Sequence, residues 1–250
     1  MADAGPGPPW MHPGVNYLDL LTLLDRQLAP RAYFEIGTNT GSSVERFSCD
    51  AVCVDPEFVI ERNVWTPRRR SFLFQMTSDD FFREEDLHRY LPRGPDIAFL
   101  DGMHLFEYLL RDFINTERLC HPRSLILMHD CLPLSPRMAE RAYQAGPEDE
   151  GELRWAWTGD VWKILYAFKL FRPDLRVSIL DCPPTGLVAV RGLDPSSTAL
   201  SSRYEEVLAE AGSLVLDGGR MAELWALYPT LDTKALATAR HGVSAVLTCR

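Results

Sequence analysis

No apolar run in the chain approaches the length needed to cross a bilayer, so the sequence gives no expectation of a membrane span. Basic residues are scarce: 26 Lys and Arg stand against 35 Asp and Glu, a formal net charge of −9. A protein whose main partner were nucleic acid or an anionic membrane would need a basic footprint, and none is present. Cysteine is confined to Cys49, Cys53, Cys120, Cys131, Cys182 and Cys249, with no CxxC pair and no zinc spacing. Reduced thiols and a cytoplasmic location are therefore expected. The opening residues, MADAGPGPPWMHPG, have neither a basic nor an apolar signal region and read as a flexible Pro/Gly-rich arm over 1–14. No internal repeat is visible. What is present is ordinary soluble composition, 46% hydrophobic and 24% charged over 250 residues. That length suffices for one large domain with an appendage.

Apolar periodicity divides the chain into alternating elements. GVNYLDLLTLLDRQL carries leucines at helical spacing and stops at Ala29-Pro30. AYFEIGT, AVCVDPE, SFLFQMT, DIAFLDG and SLILMHDC read as short apolar strands. Helices are predicted after Gly41-Ser42-Ser43, in a short stretch around EDLHRYL that follows SDDFF, over FEYLLRDFINTERLC and over DVWKILYAFKLF. RVSILDCPPTGLVAVRG reads as two strands joined by a Pro/Gly turn, too close for a crossover helix and so antiparallel. The expected fold is α/β: a Rossmann-like, doubly wound, mostly parallel seven-stranded sheet with an antiparallel final strand. The domain is placed over 15–192. Residues 193–250 form a helical appendage, a lid or a homo-oligomer contact.

In an open parallel sheet, ligands bind beyond the carboxyl ends of the strands. That rule selects the residues after each predicted strand, and these are also the polar, oddly placed ones. Glu35 is followed by Gly37, Thr38, Asn39, Gly41 and Ser42, small residues that let a backbone turn sharply against a ligand. Asp55 follows the second strand, Ser78 and Asp79 the third, Asp101 and His104 the fourth, and His129 to Cys131 the fifth. The turn is neither the dinucleotide GxGxxG nor a phosphate-binding P-loop.

FEIGTNTGSS followed by CVDPE resembles the class I S-adenosylmethionine-dependent methyltransferases. The resemblance spans about Tyr33 to Arg191. It implies that the glycine turn passes the methionine part of the cofactor, that Asp55 holds the ribose hydroxyls, that Glu35 supports the amino group or the loop, and that Ser78 and Asp79 lie near the adenine. FLDGMHLFEYLLRDF and LILMHDC further resemble the metal-dependent small-molecule O-methyltransferases of the macrolide-sugar type. That likeness implies Asp101 as a ligand at the cofactor and metal, Asp130 as a second metal ligand, His104 as general base, and magnesium as the ion. Cys131 stands where that family has an acid or amide, and His129 would replace it only if its ring turned toward the site. The implied activity is methyl transfer to a hydroxyl oxygen of a small natural-product or sugar-like acceptor.

Plainer roles compete for several residues. Strand alternation would turn His129 away from Asp130. Cys131 reads as a packed thiol, Trp155, Trp157 and Trp162 beside Lys163 as core or lid packing, Arg68 to Arg70 as a solvated face, and PEDEGE as an exposed acidic loop. Two other functions fit the same scaffold: an oxidative, hydroxylase-type enzyme, and a catalytically degenerate binding or partner subunit.

Overall fold

The computed structural model describes residues 12–65, 70–143 and 156–247. Residues 1–11 of the 1–14 arm, Arg68 and Arg69, the acidic PEDEGE segment, Trp155 and Cys249 lie outside the described residues. At the arm's end His12 is buried with Nε2 3.0 Å from Leu132 O, and Gly14 N donates to Asp181 O at 2.8 Å. The first helix, α1 (Tyr17–Leu28), is capped by the Asn16 side chain and buries Leu20, Leu21 and Leu24. It ends at Ala29 in the left-handed region, one residue before Pro30, as the proline requires. Then follow β1 (Ala32–Ile36), β2 (Asp50–Asp55), β3 (Ser71–Gln75), α2 (Ser78–Glu84), β4 (Ile97–Leu100), α3 (Phe106–Leu119), β5 (Leu125–His129), α4 (Lys163–Phe171), β6 (Arg176–Leu180) and β7 (Leu187–Arg191). Beyond them come α5 (Tyr204–Gly212), α6 (Gly218–Ala226), β8 (Thr230–Leu231), α7 (Thr233–Thr238) and α8 (Gly242–Leu247).

The sheet order is β3-β2-β1-β4-β5-β7-β6-β8. Strands β1 to β5 are parallel, and β7 lies antiparallel between β5 and β6. This is the expected doubly wound sheet with one strand more: β8 pairs in parallel with β6 and comes from the C-terminal stretch. A second difference lies after β1. The expected helix is a single tight turn, Val44–Arg46, from which Phe47 already leaves in an extended conformation. Only Phe47, Ser48 and Cys49 separate that turn from β2, so the chain has no length for a helix.

Both faces of the sheet are buried, which explains why the strands read as continuous apolar runs. Phe34, Val52, Val54, Ala98, Leu100, Ile126 and Met128 point to the side of α2, α3 and α4. Their neighbours Tyr33, Ala51, Cys53, Ile97, Phe99, Leu125 and Leu127 point to the side of α1, α7 and α8. Each such side chain contributes about 1.5–3 kcal/mol when fully buried. The C-terminal helices cover both layers: α5 lies on α3 and α4, and α7 and α8 lie on α1.

Candidate active site

A cavity of about 1400 Å³ opens at the carboxyl ends of β1 to β5. Of the residues singled out in the sequence, Gly37, Asn39, Asp55, Ser78, Asp79, Asp101, His104 and Asp130 line it. Glu35, Thr38, Gly41 and Ser42 do not, and their contacts give the reason. The Glu35 carboxyl is fully buried and accepts from Tyr33 Oη (3.1 Å), Thr38 Oγ1 (3.1 Å) and Ser43 Oγ. Burial pushes it up to about 8 against the pull of those three hydroxyls. Gly41 has φ +84, and a Cβ there would meet Val64. Ser42 Oγ bonds Thr40 Oγ1 at 2.8 Å. These four residues shape the turn from behind.

Gly37 is needed for steric reasons. Its φ is +87, and a Cβ would sit 1.9 Å from the carbonyl oxygen of Asp101. Its N–H donates to Val54 O (2.9 Å), while Asp101 N donates to Ile36 O (2.9 Å). The end of β1 is thereby clasped between β2 and β4, and the turn lies in the cavity wall. At the end of β2, Asp55 accepts from Asn39 N on one oxygen and Glu57 N on the other, both at 2.8 Å. Each carboxylate oxygen keeps a further lone pair for a ligand hydroxyl. On the β3 side, Asp79 is held by the Arg111 guanidinium through two bonds of 2.9 and 2.7 Å. Ser78 hydrogen-bonds the buried Asp112, whose carboxyl is pushed up to about 7 by desolvation.

At the ends of β4 and β5 the structure assembles two carboxylates and two imidazoles. His104 Nε2 lies 3.1 Å from Asp130 and 3.7 Å from Asp101. His104 Nδ1 bonds the carbonyl oxygen of Trp157 at 2.9 Å; a carbonyl only accepts, so the proton is on Nδ1. His129 Nδ1 lies 3.2 Å from Asp101 and 3.3 Å from Asp130. Burial alone would lower His104, but the neighbouring Asp101 and Asp130 carboxylates outweigh it and leave it at about 9. Burial would raise Asp101, but His129 and His104 hold it at about 2. His129 is likewise raised despite burial, by Asp130 and Asp101.

His129 therefore turns toward the acids, contrary to the expectation from alternation. Register explains it. Phe99 pairs with Leu127 and Leu100 with Met128, so Asp101 and His129 come next, side by side on the α1 face. Asp130 adopts φ 58 just past the strand. This left-handed step breaks the alternation and brings its carboxylate round to the same group. Thr185 Oγ1 donates to the other Asp130 oxygen. Cys131 is buried, donates to the carbonyl of His129 and has its thiol raised by burial, as befits a packed thiol.

Aromatic side chains close the cavity. Tyr17 lies over His129 with ring centroids 4.2 Å apart, and Tyr108, Tyr143 and Trp157 also line the wall. Trp157 is thus a wall residue, whereas Trp162 is a core residue at 1% exposure. Sequence reasoning did not select Tyr17, whose position on the leucine-rich helix hid it. The donor set fits a divalent cation: Asp101, His104 and Asp130 each offer a ligand atom, all within 4.8 Å of one another, and both ring nitrogens of His129 are buried without a hydrogen-bond partner.

No family model matches the chain, and no curated protein matches it in sequence. Solved structures do match in shape. The SAH-bound Podospora anserina methyltransferase PaMTH1 aligns over 71% of this chain and 78% of its own, with 15% identity and a TM-score of 0.51. An O-methyltransferase from Bacillus cereus in complex with SAH aligns over 70% and 79%, with 16% identity and a TM-score of 0.48. The O-methyltransferase TomG from Streptomyces achromogenes, involved in tomaymycin synthesis and solved with SAM, aligns over 71% and 80%, with 15% identity and a TM-score of 0.48. Strand order, the antiparallel β7 and the match to PaMTH1 together give the chain the Rossmann-like α/β fold of a class I S-adenosylmethionine-dependent methyltransferase.

Proposed function

We propose that the chain transfers a methyl group from S-adenosylmethionine to a hydroxyl oxygen of a small molecule. The observation that carries this reading is the span of one cavity. Asp55 lies at the end of β2 and Asp130 at the end of β5, three strand spacings or about 14 Å apart. The Gly37 turn lies between them. A nucleoside laid with its ribose on Asp55 and its amino-acid part along the turn would direct its sulfonium methyl toward His104 and Asp130. Ser78 and Asp79 stand where the adenine would lie. The resemblance in sequence and the fold point to the same cofactor.

Methyl transfer from a sulfonium needs an in-line oxygen nucleophile and an acceptor for its proton; the leaving thioether needs no acid. His104 is the base in this reading. Trp157 O fixes Nδ1–H, leaving Nε2 as the atom that faces the acids and takes the proton. Asp130 then stabilises the imidazolium that forms. A divalent cation held by Asp101 and Asp130 would supply a lower pKa for the acceptor hydroxyl. The aromatic wall of Tyr108, Tyr143 and Trp157 favours an acceptor with a flat or apolar face, within the natural-product or sugar-like class.

The test is direct. Calorimetry with S-adenosylmethionine and its demethylated product should show one site. Asp55→Ala should weaken it by roughly 1.5–3 kcal/mol, the worth of a charged hydrogen-bonding group. Methyl-labelled cofactor incubated with a panel of hydroxylated acceptors should yield labelled ether. A wild-type protein that binds neither form of the cofactor would end this reading.

A further inference from the structure

We propose that His129 Nδ1, Asp101 and Asp130 form a one-imidazole, two-carboxylate site for a divalent first-row transition ion, in place of the all-oxygen magnesium site that the sequence resemblance implies. Three observations converge on it. First, the spacing is that of ligands around an ion. Bonds of about 2.1 Å put neighbouring ligand atoms about 3 Å apart, and His129 Nδ1 lies 3.2 and 3.3 Å from the two carboxylates. Second, among the described residues the polar groups facing the His129 ring are the two acids of the site themselves. It is 8% exposed, Nε2 has no hydrogen-bond partner, and Nδ1 faces the two carboxylates at ion-pair distance without a well-formed hydrogen bond to either. Third, the backbone is arranged for convergence. The parallel register sets Asp101 beside His129, and the left-handed Asp130 brings a second acid round to the same atom.

The donor chemistry selects the ion. Carboxylate and water suit magnesium, whereas an imidazole nitrogen shifts preference toward iron, cobalt, nickel, copper or zinc. His104 Nε2 also lies within reach of the acids, but unevenly, 3.1 Å from Asp130 and 3.7 Å from Asp101, and in the proposed reaction it takes the proton. His104 is therefore a neighbour of the ion and His129 the ligand. Tyr17, packed over the imidazole, shields that side of the site from water. Keeping His104 Nε2 for the proton rests on the proposed function; ion binding is read without cofactor or turnover, so the two readings fail separately.

The probe is Co²⁺ alone, added to metal-stripped protein and followed by its visible absorption and by calorimetry. Wild type should bind one ion, and a hundredfold excess of Mg²⁺ should leave it bound. His129→Ala should weaken binding at least about tenfold, while His104→Ala stays within about threefold. In the Mn²⁺-loaded wild type, electron spin-echo modulation should show a directly bound imidazole nitrogen, a readout independent of whether the His129 variant folds. Unchanged affinity in His129→Ala, loss confined to His104→Ala, displacement by equimolar Mg²⁺, absence of nitrogen modulation, or no ion bound at all would each overturn the proposal.

Discussion

For His104 to act as a base its imidazole must be neutral, and its surroundings oppose that. Asp101 and Asp130 outweigh burial and hold it at about 9. At pH 7 roughly 1% of it would be neutral, each unit below the pKa costing a factor of ten. Turnover of chelator-treated enzyme should therefore rise about tenfold per unit from pH 7 and level off near 9. His104→Gln should abolish that rise while leaving cofactor affinity unchanged. A flat profile between pH 7 and 9.5 would take the base role from His104. The sign for stability is opposite: a histidine raised on folding contributes fully below its ordinary 6.5, and the contribution is lost as pH climbs through about 9. Activity should rise over the same range in which the fold loosens. Most of this group was legible in the sequence, since Asp101, His104 and Asp130 follow strand ends. His129 was not. Alternation counted back from Asp130 gave the wrong face, because a left-handed residue past a strand does not obey the pleat. Counting forward from the paired residues Leu100 and Met128 would have found it.

At the level of elements, the β1–β2 connection shows what glycine and a buried acid do together. Gly37 supplies the close approach to Asp101 O, and Glu35 ties Tyr33, Thr38 and Ser43 behind the turn. Burial raises this carboxyl to about 8, so the folded state holds a proton that the unfolded chain releases near its ordinary value. Stability from Glu35 is present at acid pH and falls as pH rises toward 8. Glu35→Gln keeps the shape and removes the titration. The variant should match wild type near pH 5 and exceed it increasingly up to pH 8, as read from urea midpoints. A constant difference across that range would mean the carboxyl is not titrating in the fold. Sequence patterning located this turn by its small residues but supplied a helix after it. Val44, Glu45, Arg46 and Phe47 have helical composition; the short link to β2 overrides it. Tertiary length limits win over a propensity worth only tenths of a kcal/mol per residue.

On the scale of the whole molecule, the sheet order followed from element alternation, and the C-terminal stretch did not. Its amphipathic pattern fitted a lid, an appendage or an oligomer contact equally, because periodicity shows that a face is apolar and not what it covers. The structure puts it on both layers. Val207 and Ala211 of α5 and Leu224 of α6 join the α3–α4 core, Leu236, Val243 and Leu247 join the α1 side, and β8 extends the sheet beside β6. Among the described residues none beyond 193 lines the cavity, so its effect on the site runs through the scaffold. Buried Leu and Val side chains contribute about 1.5–3 kcal/mol each. Those of this segment together rival the roughly 5–15 kcal/mol by which a domain is stable at all. A chain ending at residue 192 should therefore lose its cooperative thermal transition, bind a hydrophobic dye and aggregate, having uncovered Phe106 and Phe171 on one face and α1 on the other. A truncated chain that stays monomeric, melts as sharply as the full one and still binds cofactor would show instead that 1–192 is a self-sufficient domain.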